Sequence, residues 1–313
     1  MRIHYILLVC VFLLTSCDKT KISWDSGEKE NLEECKVNLY VENSGSMEGY
    51  MHDGFEFKDA VFGYVTAINK YVDDTRFFYI NSKIVPNRIS LENLTGSFDA
   101  AAFKAGGGDR SSTNLAAMLK MILKEQQKNT VSVFVSDCIL DLPKGAAKNY
   151  FINNQIAIEA IVSKKLKKQK DLTFVVFRLM SRFYGKYYNS TGSSTVNAMR
   201  PYYVFLIGNG SLVSQLMRKV PLADIPNAKV TCMVAYINNH VPAMTITNST
   251  GRLFKKNKCN LLPEKGSDNY RIKILADLSS AFIQEDSLAN KNLYKSSDRQ
   301  FKLEYVEKIK DPE

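Results

Sequence analysis

Lys36-Val37-Asn38-Leu39-Tyr40-Val41 alternates polar with apolar side chains and runs directly into the polar turn Glu42-Asn43-Ser44-Gly45-Ser46. A period of two followed by a glycine-containing turn reads as a strand entering a loop. Outward from it the periodicity changes. Phe57, Ala60, Val61, Tyr64, Val65, Ile68 and Tyr71 recur at helical spacing, which predicts a helix over 57–71. Residues 75–80 and 83–89 read as short strands, 114–127 as a helix with Leu115, Met118, Leu119 and Ile122 on one face, and 130–135 as a β-branched strand of the buried type. A long helix over 150–170, strands over 172–180 and 202–207, and a helix over 211–220 continue the alternation. Strands alternating with helices predict an α/β fold, a doubly wound and mostly parallel sheet covered on both faces.

Beyond Pro221 the pattern is different. Residues 229–237, 270–278 and 301–309 alternate apolar with polar side chains between turn-rich stretches, predicting a small β-rich, sandwich-like C-terminal domain. The expected division is 36–222 for the α/β domain and 223–313 for the β-rich one. A chain of 313 residues, 45% hydrophobic and 24% charged, accommodates two such domains and excludes disordered, collagenous and coiled-coil classes. The formal charge of +10 suits an acidic partner or membrane surface without proving either. The densest basic run, Lys164-Lys165-Leu166-Lys167-Lys168-Gln169-Lys170, falls at a helix end, where cations favour the dipole; it reads as a solvated terminus, and no nucleic-acid partner is expected.

The N-terminus carries its own signal. Arg2 precedes an apolar run over 6–14, too short to span a bilayer, and Leu14-Thr15-Ser16-Cys17 follows. This resembles a bacterial lipoprotein signal with its lipobox. The resemblance implies removal of residues 1–16, lipid on Cys17, a tether over 17–35, and a membrane-anchored location in the bacterial cell envelope, periplasmic or surface-facing. Of the remaining cysteines, Cys35 starts one expected strand and Cys138 ends another; if those strands are parallel neighbours, the sulfurs lie at opposite ends of the sheet, roughly 20 Å apart. Cys232 with Cys259 is therefore the expected pair if any forms; four unpaired buried thiols are the other reading.

Ligands of parallel α/β sheets bind outside the carboxyl ends of the strands, where three polar clusters fall: Glu42 to Ser46, Thr113 before a helix, and Asp137 closing a strand. Three hydroxyls and two carboxylates make an oxygen donor set suited to a hard cation.

Val41-Glu42-Asn43-Ser44-Gly45-Ser46-Met47 resembles the D-x-S-x-S element of the von Willebrand factor A domain. Gly108-Asp109-Arg110-Ser111-Ser112-Thr113-Asn114-Leu115 is similar to that family's threonine-bearing loop, and Val133-Phe134-Val135-Ser136-Asp137 to its third element. The resemblance covers about 36–220 and implies that Ser44, Ser46 and Thr113 offer hydroxyls to Mg²⁺, Mn²⁺ or Ca²⁺. Glu42 and Asp137 would act directly or through water, and a partner's acidic side chain would complete the coordination. The family has Asp where this chain has Glu42, which displaces the carboxylate by about 1.5 Å. An occupied site and a vacant one both stay open, since Mg²⁺ tolerates misplaced ligands poorly.

Enzyme signatures are weak. G-x-S-x-G is missing around Ser44, and the histidines past the leader, His52 and His240, read as surface or turn residues. Gly106-Gly107-Gly108 lacks a following Gly-Lys-Ser/Thr and reads as a flexible loop. Arg182-Phe183-Tyr184-Gly185-Lys186-Tyr187-Tyr188 reads as a rim loop, its aromatics either meeting a partner or glycan or anchoring the loop to its own domain. The expectation is a non-enzymatic, lipid-anchored protein-binding module. The alternatives are a metal-assisted envelope hydrolase and a structural domain with a vacant site.

Overall fold

The computed structural model describes residues 3–12, 21–23, 32–52, 55–87, 100–110, 114–140, 147–189, 192–237, 243–249, 252–255, 258–260, 263, 265–266, 269–278, 288–294 and 301–310. It divides into two units, Glu30–Asn239 and Met1–Lys29 with His240–Glu313. Strands are numbered along the whole chain; β1 (Ile3–Phe12) and β2 (Lys21–Ser23) belong to the smaller unit, and β3 (Lys36–Glu42) opens the larger.

The larger unit continues with α1 (Phe55–Ile68), β4 (Asp74–Ile80), β5 (Ile84–Pro86), α2 (Ala100–Ala105), α3 (Leu115–Glu125), β6 (Thr130–Ser136), α4 (Ala147–Leu166), β7 (Leu172–Asn189), β8 (Gly192–Asn209), α5 (Gly210–Lys219) and β9 (Lys229–Ile237). Its strands form a seven-stranded sheet in the order β5-β4-β3-β6-β8-β7-β9. β3 runs parallel to both β4 and β6, with Val41 opposite Tyr79 on one side and Val135 on the other. The remaining pairs are antiparallel, so the sheet is mixed rather than mostly parallel. The reason lies between residues 172 and 209. No helix separates β7 from β8, and strands joined without a crossover can pair only antiparallel.

Burial follows from this order. All seven residues of β6 are buried, as a central strand covered on both faces requires. On one face Tyr40, Ile80, Phe134 and Ile207 pack with Met118, Leu119, Ile122 and Leu123 of α3, and Ile158, Ile161 and Val162 of α4 close over them. On the other, Leu39, Val133 and Val135 meet Ala60, Val61 and Tyr64 of α1. α3 begins where the side chain of Asn114 accepts from Ala117 N at 2.9 Å. Within the basic run, Lys165 Nζ donates to the carbonyl of Gln126 at 2.7 Å and thus ties α4 to the end of α3.

β9 was expected in the C-terminal domain; it is instead the edge strand of this sheet, and the larger unit extends to Asn239. In the smaller unit, β10 (Ala243–Ser249), β13 (Asn269–Asp277), β1 and β14 (Phe301–Lys310) form a four-stranded antiparallel sheet in that order. β11 (Arg252–Lys255), β12 (Lys258–Asn260) and β2 form another of three strands. The apolar segment read as the leader is thus a strand between β13 and β14. Cys17 lies outside the described residues. Among the described side chains Cys35, Cys138 and Cys232 carry free thiols, Cys232 exposed rather than buried; the expected partner of Cys232, Cys259, belongs to the other unit.

Candidate functional site at the carboxyl edge of the sheet

β3, β4 and β6 end on the same edge because they are parallel, and their register sets Glu42 beside Ser136. Glu42 is fully buried, and Ser136 Oγ donates to its Oε2 at 2.5 Å. Ser136 Oγ in turn accepts from Cys138 N at 2.8 Å, while Asp137 Oδ1 accepts from Ile139 N at 3.0 Å. Cys138 takes a left-handed backbone, φ 54°, to make this turn. Burial pushes its thiol up, and the charges of Glu42 and Asp137 add to the effect against a partial offset from Ser136. Both carboxylates therefore lie near one half-buried thiol that these effects hold in its neutral form.

The hydroxyls form the other half. Ser44 Oγ and Ser46 Oγ share a hydrogen bond at 3.0 Å. Adjacent oxygens of an octahedral Mg²⁺ lie about 2.9 Å apart, given metal–oxygen distances of about 2.0–2.1 Å, so the pair is spaced as two neighbouring ligands would be. Glu42, Ser44, Ser46 and Asp137 are all buried at this edge; Thr113 lies outside the described residues. Among the described residues no three His, Cys, Asp or Glu side chains gather as a metal cluster, and the donor set here is a different one, hydroxyls with two carboxylates.

A second layer, which the motif reading did not assign, holds the hydroxyl loop. Asn81, the residue after β4, donates to Asn43 Oδ1 at 2.7 Å and to the Gly107 carbonyl at 2.8 Å. Asn43 Nδ2 also donates to the Gly107 carbonyl, at 3.3 Å. Arg110 Nε donates to the Asn43 carbonyl at 2.7 Å, and its own carbonyl accepts from Gly45 N at 3.0 Å. Gly107 and Gly108 have φ of 77° and 79°, conformations that only glycine adopts without strain, and a Cβ on Gly108 would run into the Asn81 amide. The glycine run expected as a flexible loop is therefore tied across the Ser44–Ser46 turn. These contacts were hidden because Asn43, Asn81 and Arg110 are far apart in sequence and meet only when β3 and β4 pair.

Glu48 closes this layer. Lys104 Nζ is 2.6 Å from Glu48 Oε1, and Arg110 is 3.3 Å from Oε2. Burial alone would raise the Glu48 carboxyl; the hydrogen bonds and charges of Lys104 and Arg110 outweigh it and hold the group below its ordinary range. His52, at 3.6 Å from Glu48, belongs to this surface cluster, whereas His240 lies outside the described residues.

The expected rim loop is not a loop. Residues 181–189 and 192–200 continue β7 and β8 as a two-stranded arm, with Ser181 opposite Arg200 and Tyr187 opposite Ser194. Strand alternation splits the aromatic run: Phe183 is buried and Tyr184 is 45% exposed. Phe183 packs on Gly49, where any Cβ would strike its ring. Tyr50 joins Phe57, Phe183 and Tyr202 in an aromatic cluster, and its hydroxyl donates to the Pro201 carbonyl at 2.6 Å. Burial first, and then the charge of Asp137, pushes the Tyr50 phenol up, against a partial offset from the charge and the side-chain hydrogen bond of Arg200.

Compared with protein-family models, curated proteins and solved structures, the chain matches none.

Proposed function

We propose that the protein is a lipid-anchored docking module of the bacterial cell envelope, resembling a von Willebrand factor A domain, in which a divalent cation organises the Ser44–Ser46 loop. The observation that carries this reading is the 3.0 Å Ser44–Ser46 hydroxyl pair at the carboxyl edge of a parallel strand pair, with the carboxylates of Glu42 and Asp137 at the same edge. Ser44, Ser46 and Asp137 would hold the ion, with Glu42 acting through water because its carboxylate is engaged by Ser136. Thr113 is included from the motif alone.

Burial modifies one element of the resemblance. Ser44 and Ser46 lie within the fold, 2% and 7% exposed, so a partner's acidic side chain could ligate the ion only after the loop moved. Partner contact accordingly falls on the rim above, and the reading is a binding protein rather than an enzyme. No helix among the described residues is long and apolar enough to cross a membrane, and attachment is assigned to lipid on Cys17, whose processing would remove β1 from between β13 and β14.

Calorimetry of the protein against Mg²⁺, Mn²⁺ and Ca²⁺ tests the site. Wild type should give a saturable heat that Asp137→Ala abolishes; equally flat heats from both would overturn the cation. The Ser136–Glu42 bond favours a second reading, a metal-free docking face, and flat heats with retained partner capture would support it. Palmitate labelling in cells, lost in Cys17→Ala, tests the anchor.

A further inference from the structure

Among the described residues β14 pairs with β1 and with no other strand, and β1 separates it from β13 along the whole register. Both neighbours run antiparallel to β1, so they are parallel to each other and stand about 9.6 Å apart, twice the ordinary strand spacing. Removal of residues 1–16, which the lipid-anchor reading requires, would take away β1 and both of its ladders.

The two walls are matched to an intervening strand. Ile272, Ile274 and Ala276 of β13 are buried and alternate onto one face. Val306 of β14, which is in register with Leu7 as Ile274 is, packs with Leu278 and Leu288. Charges of opposite sign link the walls: Arg271 of β13 lies 3.3 Å from Glu304 of β14, and Lys273 lies 3.4 Å from Glu307. These groups answer one another from wall to wall, so a strand between them needs no charge of its own. Residues 3–12 contain no Asp, Glu, Lys or Arg.

Direct pairing of β13 with β14 would replace two antiparallel ladders by a single parallel one, which is slightly weaker per residue. It would also draw together walls whose ion pairs already span the wider gap. An added strand restores both ladders, and its backbone supplies most of the recognition.

We propose that in the processed protein the gap between β13 and β14 receives an extended apolar segment of a partner polypeptide, antiparallel to both strands, in the place of β1. This rests on the lipid-anchor reading above and on neither the cation nor the arm. The register specifies the segment. It is uncharged, about as long as the 10 residues of β1, and apolar where Leu7 stands between Ile274 and Val306 and where Val9 stands between Ile272 and Leu303. A second copy is a poorer source, because the uncharged strands described after residue 16, β5, β6 and β10, are already paired within their own sheets.

Intact mass of the protein isolated from cells tests the processing; retention of residues 1–16 would leave β1 in place and overturn the anchor reading together with this proposal. On the processed chain, residues 17–313 with Cys17→Ser, the probe is a labelled peptide of residues 3–12 with a lysine tag, read by fluorescence anisotropy. It should bind saturably and slow amide hydrogen exchange through Asn269–Asp277 and Phe301–Lys310. The same peptide with Leu7→Lys should bind at least about tenfold more weakly, since it sets a charge between Ile274 and Val306. Val306→Lys in the protein should weaken the unaltered peptide about tenfold, and Val234→Lys on the exposed edge strand β9 by no more than about twofold. A processed chain that binds no peptide would overturn the proposal and leave the anchor reading standing. Equal binding of the two peptides, or equal losses in Val306→Lys and Val234→Lys, would overturn it as well, and dimers of the processed chain that the peptide splits would overturn the partner in favour of a second copy. If Val306→Lys does not fold, the two peptides on the processed chain carry the comparison.

Discussion

Ser136 Oγ donates to Glu42 Oε2 at 2.5 Å across the β3–β6 pair, so a fully buried carboxylate on one strand is satisfied by the hydroxyl at the end of the next. The longer side chain of Glu, compared with Asp, is what this reach uses. Ser136→Ala should therefore destabilise the protein by about 1–3 kcal/mol, the cost of stripping a buried acceptor of its donor. Glu42→Asp, which withdraws the carboxylate by about 1.5 Å, should lose a similar amount. Urea unfolding reads both; unchanged midpoints would show that the bond contributes nothing.

The glycine loop gives a comparison between neighbours. Gly107 and Gly108 share a positive φ, but a Cβ on Gly107 meets only Val85 at 3.9 Å, whereas one on Gly108 collides with the Asn81 side chain. Gly107→Ala should cost about 1 kcal/mol from backbone strain alone. Gly108→Ala should cost clearly more, because it also disrupts the Asn81 bonds to Asn43 and the Gly107 carbonyl. Equal losses in urea would mean that the Asn81 contacts do not hold the loop.

Acid should weaken the layer around Glu48. Its carboxyl is held below the ordinary glutamate range because Lys104 and Arg110 outweigh burial. A depressed carboxyl contributes stability that is present above the unfolded-state value and is lost as pH falls through the folded one. Thermal unfolding followed downward from neutral pH should show this loss, and Glu48→Gln should flatten that part of the profile. A wild-type slope retained in Glu48→Gln would place the dependence on other groups.

Gly49 sets how closely the arm is held. Gly49→Ala should push the Phe183 ring from its seat and loosen the root, at a cost of about 1–3 kcal/mol. Amide hydrogen exchange should then rise through residues 181–200 while β3 and β6 stay protected. Unchanged exchange along the arm would show that the contact does not anchor it.

Much of the α/β unit was legible because its elements are amphipathic on a local period. The strand expected over 130–135 is Thr130–Ser136, the helix over 211–220 is Gly210–Lys219, and the strand over 229–237 has the bounds expected for it. Residues 181–201 read as loop because Gly185, Gly192, Pro201 and a run of Ser, Thr and Asn interrupt the apolar alternation. Pairing of β7 with β8, together with Phe183 and Tyr50, overrides those local preferences. For the candidate site, Glu42, Ser44, Ser46 and Asp137 could be named because they follow strands in short polar clusters.

By itself, then, the chain's pattern of periods determined most strands and helices of the larger unit outside the arm and which polar residues end them, since both depend on near neighbours. Only the tertiary structure decided that β9 joins the seven-stranded sheet, that Glu42 turns to Ser136, and that Asn43, Asn81 and Arg110 lock one loop. Each of these depends on residues distant in sequence meeting in a strand register or a packed core, and no local spacing encodes such a meeting.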